Sequence, residues 1–194
     1  MKVLMKRLFL TIIITLSTVN IANAQMLAIK TNAAAYAAFA PNLGAELVVG
    51  NKASIGIDVM GAYHSFGTDL KAFGVIPEFR YWFHGRPMTR EFIGLSVLGA
   101  TYKCATDEKM FKGNIASVGL TIGYVWVLGK KSRWNMELHG GIGFYRYNQQ
   151  TRYDSHWTQT QWNTERFSET GWVILPYKVG LSFSYVIPTE KKEK

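Results

Sequence analysis

The sequence predicts an all-β protein, an eight-stranded antiparallel transmembrane β-barrel of the small, polar-lumen type. Three observations predict it. Apolar and polar residues alternate with period two over most of the chain beyond residue 24. The face opposite the apolar one is rich in Gly, Ser and Ala. The connections between the expected strands alternate between short and long, as in outer-membrane barrels. Composition narrows the field around this reading. The 194 residues are 48% hydrophobic, 14% aromatic and only 18% charged, which argues against disorder, collagen and coiled coil. One cysteine excludes an intramolecular disulfide and a cysteine-cluster metal site. The net charge of +9 suggests nucleic acid at first sight, so its location matters.

The first element is an address. Lys2, Lys6 and Arg7 form a basic start, Leu8 to Val19 is a short, mostly apolar run, and Ala22-Asn23-Ala24 is a small-x-small cleavage signature. Residues 1–24 are therefore expected to be a cleaved secretory signal peptide, followed by a barrel domain over 25–187 and a charged periplasmic tail over 188–194. The apolar run is shorter than the ~20 residues that span a bilayer as a helix. Cleavage removes three positive charges and takes the net charge from +9 to +6.

The eight strands follow in order. The first sets Leu27 and Ile29 against Lys30 and Asn32 and is expected to run on into the alanine-rich stretch Ala33 to Ala38. The second sets Leu43, Leu47 and Val49 against Gly44 and Glu46. In the third, Ile55, Ile57, Val59 and Tyr63 oppose Ser54, Gly56, Asp58 and Ala62. In the fourth, Phe73, Val75, Phe79, Tyr81 and Phe83 oppose Gly74, Glu78 and Arg80. The fifth pits Ile93, Leu95 and Val97 against Gly94 and Ser96. The sixth runs Ala116 to Leu128 with Ser117, Gly119, Thr121 and Gly123 on its polar face. The seventh runs Trp134 to Phe144 with Asn135, Glu137, His139, Gly141 and Gly143 on that face. The eighth alternates from Val173 through Tyr177 to Tyr185, with Lys178, Gly180, Ser182 and Ser184 opposite. Expected short turns are Gly50 to Lys52, His84 to Arg90 and Gly129 to Ser132. Expected longer loops are His64 to Lys71, Lys103 to Gly113 and Tyr147 to Gly171.

The polar face decides which side is wet. A water-facing strand surface carries many charged residues, whereas small residues with about one charge per strand suit the narrow bore of an eight-stranded barrel. Aromatic residues gather near the strand ends: Trp82, Phe83, Trp126, Trp134 and Tyr185 near the short turns, Tyr63, Phe73 and Tyr145 near the long loops. Two interfacial girdles are expected there. The final strand also fits the loose polar-x-Gly-x-x-hydrophobic-x-hydrophobic signature of outer-membrane insertion, over Lys178 to Tyr185.

Parity assigns the candidate lumen network: Lys30, Asn32, Glu46, Asp58, Glu78, Arg80, Glu137, His139 and Lys178, together with Asn135. Charges in a narrow bore need partners or water, so a polar plug that closes the bore is expected. Glu137 and His139 share one face two residues apart, but no nucleophile of known pattern accompanies them. Tyr153, His156, Trp157 and Trp162, in the last long loop, are a candidate surface-binding set. No catalytic residue, cofactor or metal is expected. The remaining basic excess falls on the short-turn rim (Lys52, Arg86, Arg90, Lys130, Lys131, Arg133) and the tail, where it suits phospholipid headgroups and not nucleic acid.

The segments Leu27 to Asn32, Pro41 to Glu46, Pro77 to Phe83, Gly123-Tyr124 and Trp134-Asn135-x-Glu137 occur in this order. With them the chain resembles an uncharacterised barrel family found in Bacteroidales, domain of unknown function 3575. The resemblance implies an outer-membrane β-barrel, in some members encoded near fimbrial genes, and no established reaction. The expected function is thus a non-enzymatic outer-membrane protein with a structural or surface-interaction role, linked to fimbrial biogenesis through the resemblance. Its expected partners are outer-membrane lipids, the insertion machinery during assembly, and a surface or fimbrial protein. The alternatives are a lipid A acylhydrolase or acyltransferase and a secreted soluble β-barrel carrier.

Overall fold

The computed structural model describes residues 26–63, 69–105, 109–129, 133–153 and 167–188. Within them lie eight strands: β1 (Met26–Asn32), β2 (Asn42–Gly50), β3 (Ala53–Tyr63), β4 (Asp69–Trp82), β5 (Arg90–Ala105), β6 (Lys109–Leu128), β7 (Trp134–Tyr153) and β8 (Phe167–Pro188). One short helix, α1 (Ala33–Ala37), follows β1. Each strand pairs antiparallel with its chain neighbour, and β8 returns to pair with β1, so a single sheet closes on itself. Residues 1–25, which contain the expected signal peptide, and the tail beyond Pro188 lie outside the described residues.

Period-two alternation accounts for the sidedness. Successive side chains of a strand point to opposite faces, so residues of one parity share the interior. Ser54, Glu78, Arg80, Ser96, Ser117, Thr121, Asn135 and Glu137 are all buried there. The interleaved Leu95, Val118, Leu120, Ile122, Leu138 and Ile142 are each half or more exposed on the outside. The polarity of an ordinary folded domain is thereby inverted. Small residues inside make room for large ones: a Cβ at Gly119 would come within 2.5 Å of the Tyr177 ring, and one at Gly123 within 2.6 Å of Phe92.

Four expectations are corrected. The stretch Ala33 to Ala38 is not strand. Alanine is the strongest helix former, and the Asn32 side chain accepts from Ala34 N at 3.0 Å as an N-cap, so β1 stops at Asn32 and one helical turn follows. Asn42 ties this corner shut. Its side-chain amide donates to Asn32 O at 2.9 Å and its side-chain oxygen accepts from Asn32 N at 2.7 Å. An Asn42→Ala variant is expected to lose about 1–3 kcal/mol and to be cleaved faster between residues 33 and 41 in limited proteolysis; an unchanged cleavage rate would refute this role.

Second, the loops expected at Lys103 to Gly113 and Tyr147 to Gly171 begin and end as strand, over 103–105, 109–113, 147–153 and 167–171, the residues between lying outside the described ones. Lys103 pairs with Lys112, Thr101 with Asn114 and Asn148 with Thr170. Their side chains are polar, so alternation fades, but backbone pairing continues once the register is set. The strands therefore lengthen around the sheet, from 7 residues in β1 to 22 in β8.

Third, the eighth strand does not alternate without a break. Against β7 the register steps from His139↔Gly180 to Gly141↔Tyr177, a β-bulge, and Lys178 takes a left-handed φ of 48°. The extra residue reverses the parity. Val179 is outside at 65% exposure, but so are Trp172 and Ile174, whereas Tyr177, expected outside, is inside at 1%.

Fourth, two of the expected girdle aromatics face inward. Trp82 is two residues from Arg80 and shares its side; it is 1% exposed. Tyr145 is two residues from Gly143, and its ring lies 6.0 Å from that of Tyr177. Phe83, Trp126 and Trp134 at one end and Tyr63 and Phe73 at the other are exposed on the outer surface.

The interior is layered. At the short-turn end Ala28, Val48, Trp82, Met88, Phe92, Val125 and Val186 form an apolar base. The turn between β4 and β5 folds up beneath it, held where Asn135 Nδ2 donates to Met88 O at 3.0 Å.

Candidate functional site

The charged layer sits directly on this base. Arg80, from β4, is its hub. Nε donates to Glu78 Oε2 at 2.7 Å, Nη1 donates to Glu137 Oε2 at 2.8 Å and to Glu46 Oε2 at 3.0 Å, and Nη2 donates to Glu137 Oε1 at 2.9 Å. The planar fork of a guanidinium suits such a divergent set, whereas a lysine would supply a single point charge. The underside of the fork stacks on Phe92, with Cζ 4.2 Å from the ring centroid.

Two lysines close the other side. Lys178, at the bulge on β8, lies 2.6 Å from both Asp58 Oδ2 and Glu78 Oε2. Lys30 on β1 lies 3.4 Å from Asp58, 3.5 Å from Glu46 and 3.9 Å from Glu78. Neutral donors fill remaining lone pairs. Ser54 donates to Glu46 Oε1 and Thr121 to Glu78 Oε1, each at 2.6 Å, and Trp82 Nε1 donates to Ser54 Oγ at 2.8 Å. Glu78 therefore receives bonds from β4, β6 and β8. Three cations and four carboxylates, drawn from β1, β2, β3, β4, β7 and β8, are cross-linked over the bore.

Such a cluster suits a closure. Every carboxylate has a cation within 3.5 Å, which is the condition under which buried charges are tolerated. Removing one neutral donor isolates a single bond: Thr121→Val, nearly isosteric, is expected to lower stability by about 1–3 kcal/mol by stranding Glu78 Oε1. Equal unfolding midpoints for Thr121→Val and the parent would refute it.

The structure places the sequence-derived residues as follows. Lys30, Glu46, Asp58, Glu78, Arg80, Glu137 and Lys178 meet in the layer described. Asn135 lies below it, against Met88. Asn32 stands apart as the cap of α1. His139 is at the upper edge, 5% exposed, with Nδ1 3.0 Å from Glu137 Oε1. No side-chain hydroxyl or thiol among the described residues bonds to its Nε2. In the expected surface-binding set, Tyr153 ends β7, while His156, Trp157 and Trp162 lie outside the described residues. Three participants were not singled out from the sequence, Ser54, Thr121 and Trp82, and neither was the buried Tyr177, whose ring lies against Gly119. Parity marks the first three, since they alternate with inward glycines or with Arg80. Nothing local marks Tyr177, which only the bulge turns inward.

A family model described as protein of unknown function (DUF3575) matches residues 8–187 of the chain. No curated protein and no solved structure matches it.

Proposed function

From the premise that the chain belongs to the DUF3575 family, we propose that it is an outer-membrane β-barrel with a non-enzymatic, structural or surface-interaction role. The observation that carries this reading is the inverted polarity. The outer face bears Ile57, Phe79, Leu95, Val118, Leu120, Ile122, Leu138 and Ile142 at 48–66% exposure, on the five adjoining strands β3 to β7. An apolar surface wrapped around a sheet is far larger than the patches a water-soluble monomer leaves open. It suits hydrocarbon, in which only a closed sheet or a helix satisfies all backbone groups.

Supporting features agree. Phe83, Trp126 and Trp134 stand outward at the short-turn end and Tyr63 and Phe73 near the other, where ring side chains favour the headgroup region. The interior is filled by the apolar base and by the ion-pair layer, so the bore is closed to solutes and not shaped for conduction. The long β5 to β8 strands carry the wall beyond the short β1 and β2, and present a raised surface to which a surface or fimbrial partner has access.

The experiment is fractionation combined with gel mobility before and after boiling. Recovery with the outer membrane, and a folded band that shifts on heating, are expected. Recovery in the soluble periplasm would overturn the membrane assignment. Release of fatty acid from labelled lipid A by the purified protein would overturn the non-enzymatic one.

A further inference from the structure

Three observations meet at the seam between β1 and β8. The wall there is incomplete. β1 stops at Asn32, opposite Ser182, whereas β8 runs on to Phe167. From Leu181 upward β8 pairs with β7 on one edge and, among the described residues, with no strand on the other, where α1 lies against it. A cavity of about 260 Å3 occupies the interior above the ion-pair layer and reaches this seam. Inward-facing Met60, Ile76 and Leu98 line it, as do Ala35 of α1 and the outward-facing Val179. The lining thus includes residues from both faces of β8, beside the helix that lies at the seam. Finally, His139 borders the cavity, is 5% exposed, and finds no hydrogen-bond partner for Nε2 among the described residues, while its Nδ1 lies 3.0 Å from Glu137 Oε1. Buried polar atoms without a protein partner are uncommon and mark strain, a bound water or ion, or another ligand.

We propose that this cavity binds a neutral single-chain amphiphile that enters sideways through the β1–β8 seam. Its hydroxyl or amide donates to His139 Nε2, and its apolar chain runs past Met60, Ile76 and Leu98. The chemistry selects the class. The floor holds three cations and four carboxylates already paired with one another, so a charged head would remain unpaired in an enclosed site. The walls above that floor expose mostly apolar surface, interrupted by Asn32, Ser182, Tyr145 and Tyr177, so the rest of the molecule is largely apolar too. At ~30 Å3 per water-sized group, the space takes a chain of medium length and not a diacyl lipid. The pocket stands on side-chain geometry alone; only the route of entry from a bilayer rests on the membrane reading.

The test is titration of the folded full chain, held in amphipol, with tritiated 1-decanol. Saturable uptake approaching one molecule per chain is expected. Leu98→Trp, which fills the cavity, should reduce it at least tenfold, and His139→Phe should weaken it severalfold. The outward control Ile122→Trp should leave it unchanged. Should Leu98→Trp fail to fold, Met60→Phe fills the same space. Non-saturable uptake, or equal uptake by the parent and the filled variant, would overturn the site. Decanoate competing as well as decanol would overturn the neutral assignment. A protein that stays dispersed without amphipol yet binds decanol in this way would overturn the membrane reading while leaving the pocket intact.

Discussion

Replacing Arg80 with alanine is expected to produce the largest loss of stability of any single change in the interior. The guanidinium, 1% exposed, is the shared partner of Glu46, Glu78 and Glu137. Without it Glu137 has no cation in contact, and Glu46 keeps only Lys30 at 3.5 Å. Breaking a buried ion pair by removing one partner costs about 3–5 kcal/mol, and three carboxylates are affected at once. Arg80→Lys should restore only part of the loss, because one ammonium cannot reach three divergent carboxylates. Pairing Arg80→Ala with Glu137→Gln should recover some of it by removing the most exposed consequence, the unpaired charge. The measurement is the thermal midpoint of unfolding in detergent. A midpoint for Arg80→Ala equal to that of the parent would show that the layer does not hold the sheet closed.

Trp82→Ala is expected to have the second largest effect, by a different route. Trp82 fills the apolar base with Phe92, whose ring lies 5.0 Å away, and with Met88. Truncating a buried tryptophan costs about 3–5 kcal/mol from lost transfer energy and the void left behind. Its indole N–H also anchors the Ser54 hydroxyl that donates to Glu46, so the base and the charged layer loosen together. Trp82→Phe should retain most of the packing and lose the hydrogen bond, which separates the two contributions. Denaturant unfolding monitored by circular dichroism reads both. A loss below about 1 kcal/mol for Trp82→Ala would fall outside the range for a packed core position and count against the base as a structural seal.

Much of this architecture was legible along the chain because a strand has only two faces. Once Glu78 is assigned inward, Arg80 follows without reference to any other strand, and likewise Glu137 and His139 from Asn135. That logic fails wherever the count of two is interrupted. At Ala33 to Ala38 every residue but one is alanine, whose side chain has no polarity to alternate, so the N-cap at Asn32 decides in favour of helix. At Lys178 one extra residue turns Tyr177 from the outer face to the interior. An apolar ring at an apolar parity position gives no local sign of that reversal. Trp82 was misplaced for another reason. An aromatic residue near a strand end satisfies both the girdle pattern and the base, and only its distance of two from Arg80 tells them apart.

The sequence by itself determined the strand number, the antiparallel order and the face of nearly every residue, because alternation is a local property of an extended backbone. It also determined which charges share the interior, and that they nearly cancel. The tertiary structure alone decided who pairs with whom. Arg80 reaches Glu137, 57 positions away, and Lys178 reaches Glu78, 100 positions away, only because the sheet closes. Closure with unequal strand lengths also decided that β1 pairs with β8 only as far as Asn32, beyond which α1 lies against β8, a consequence of register between the first and last strands that neither carries alone.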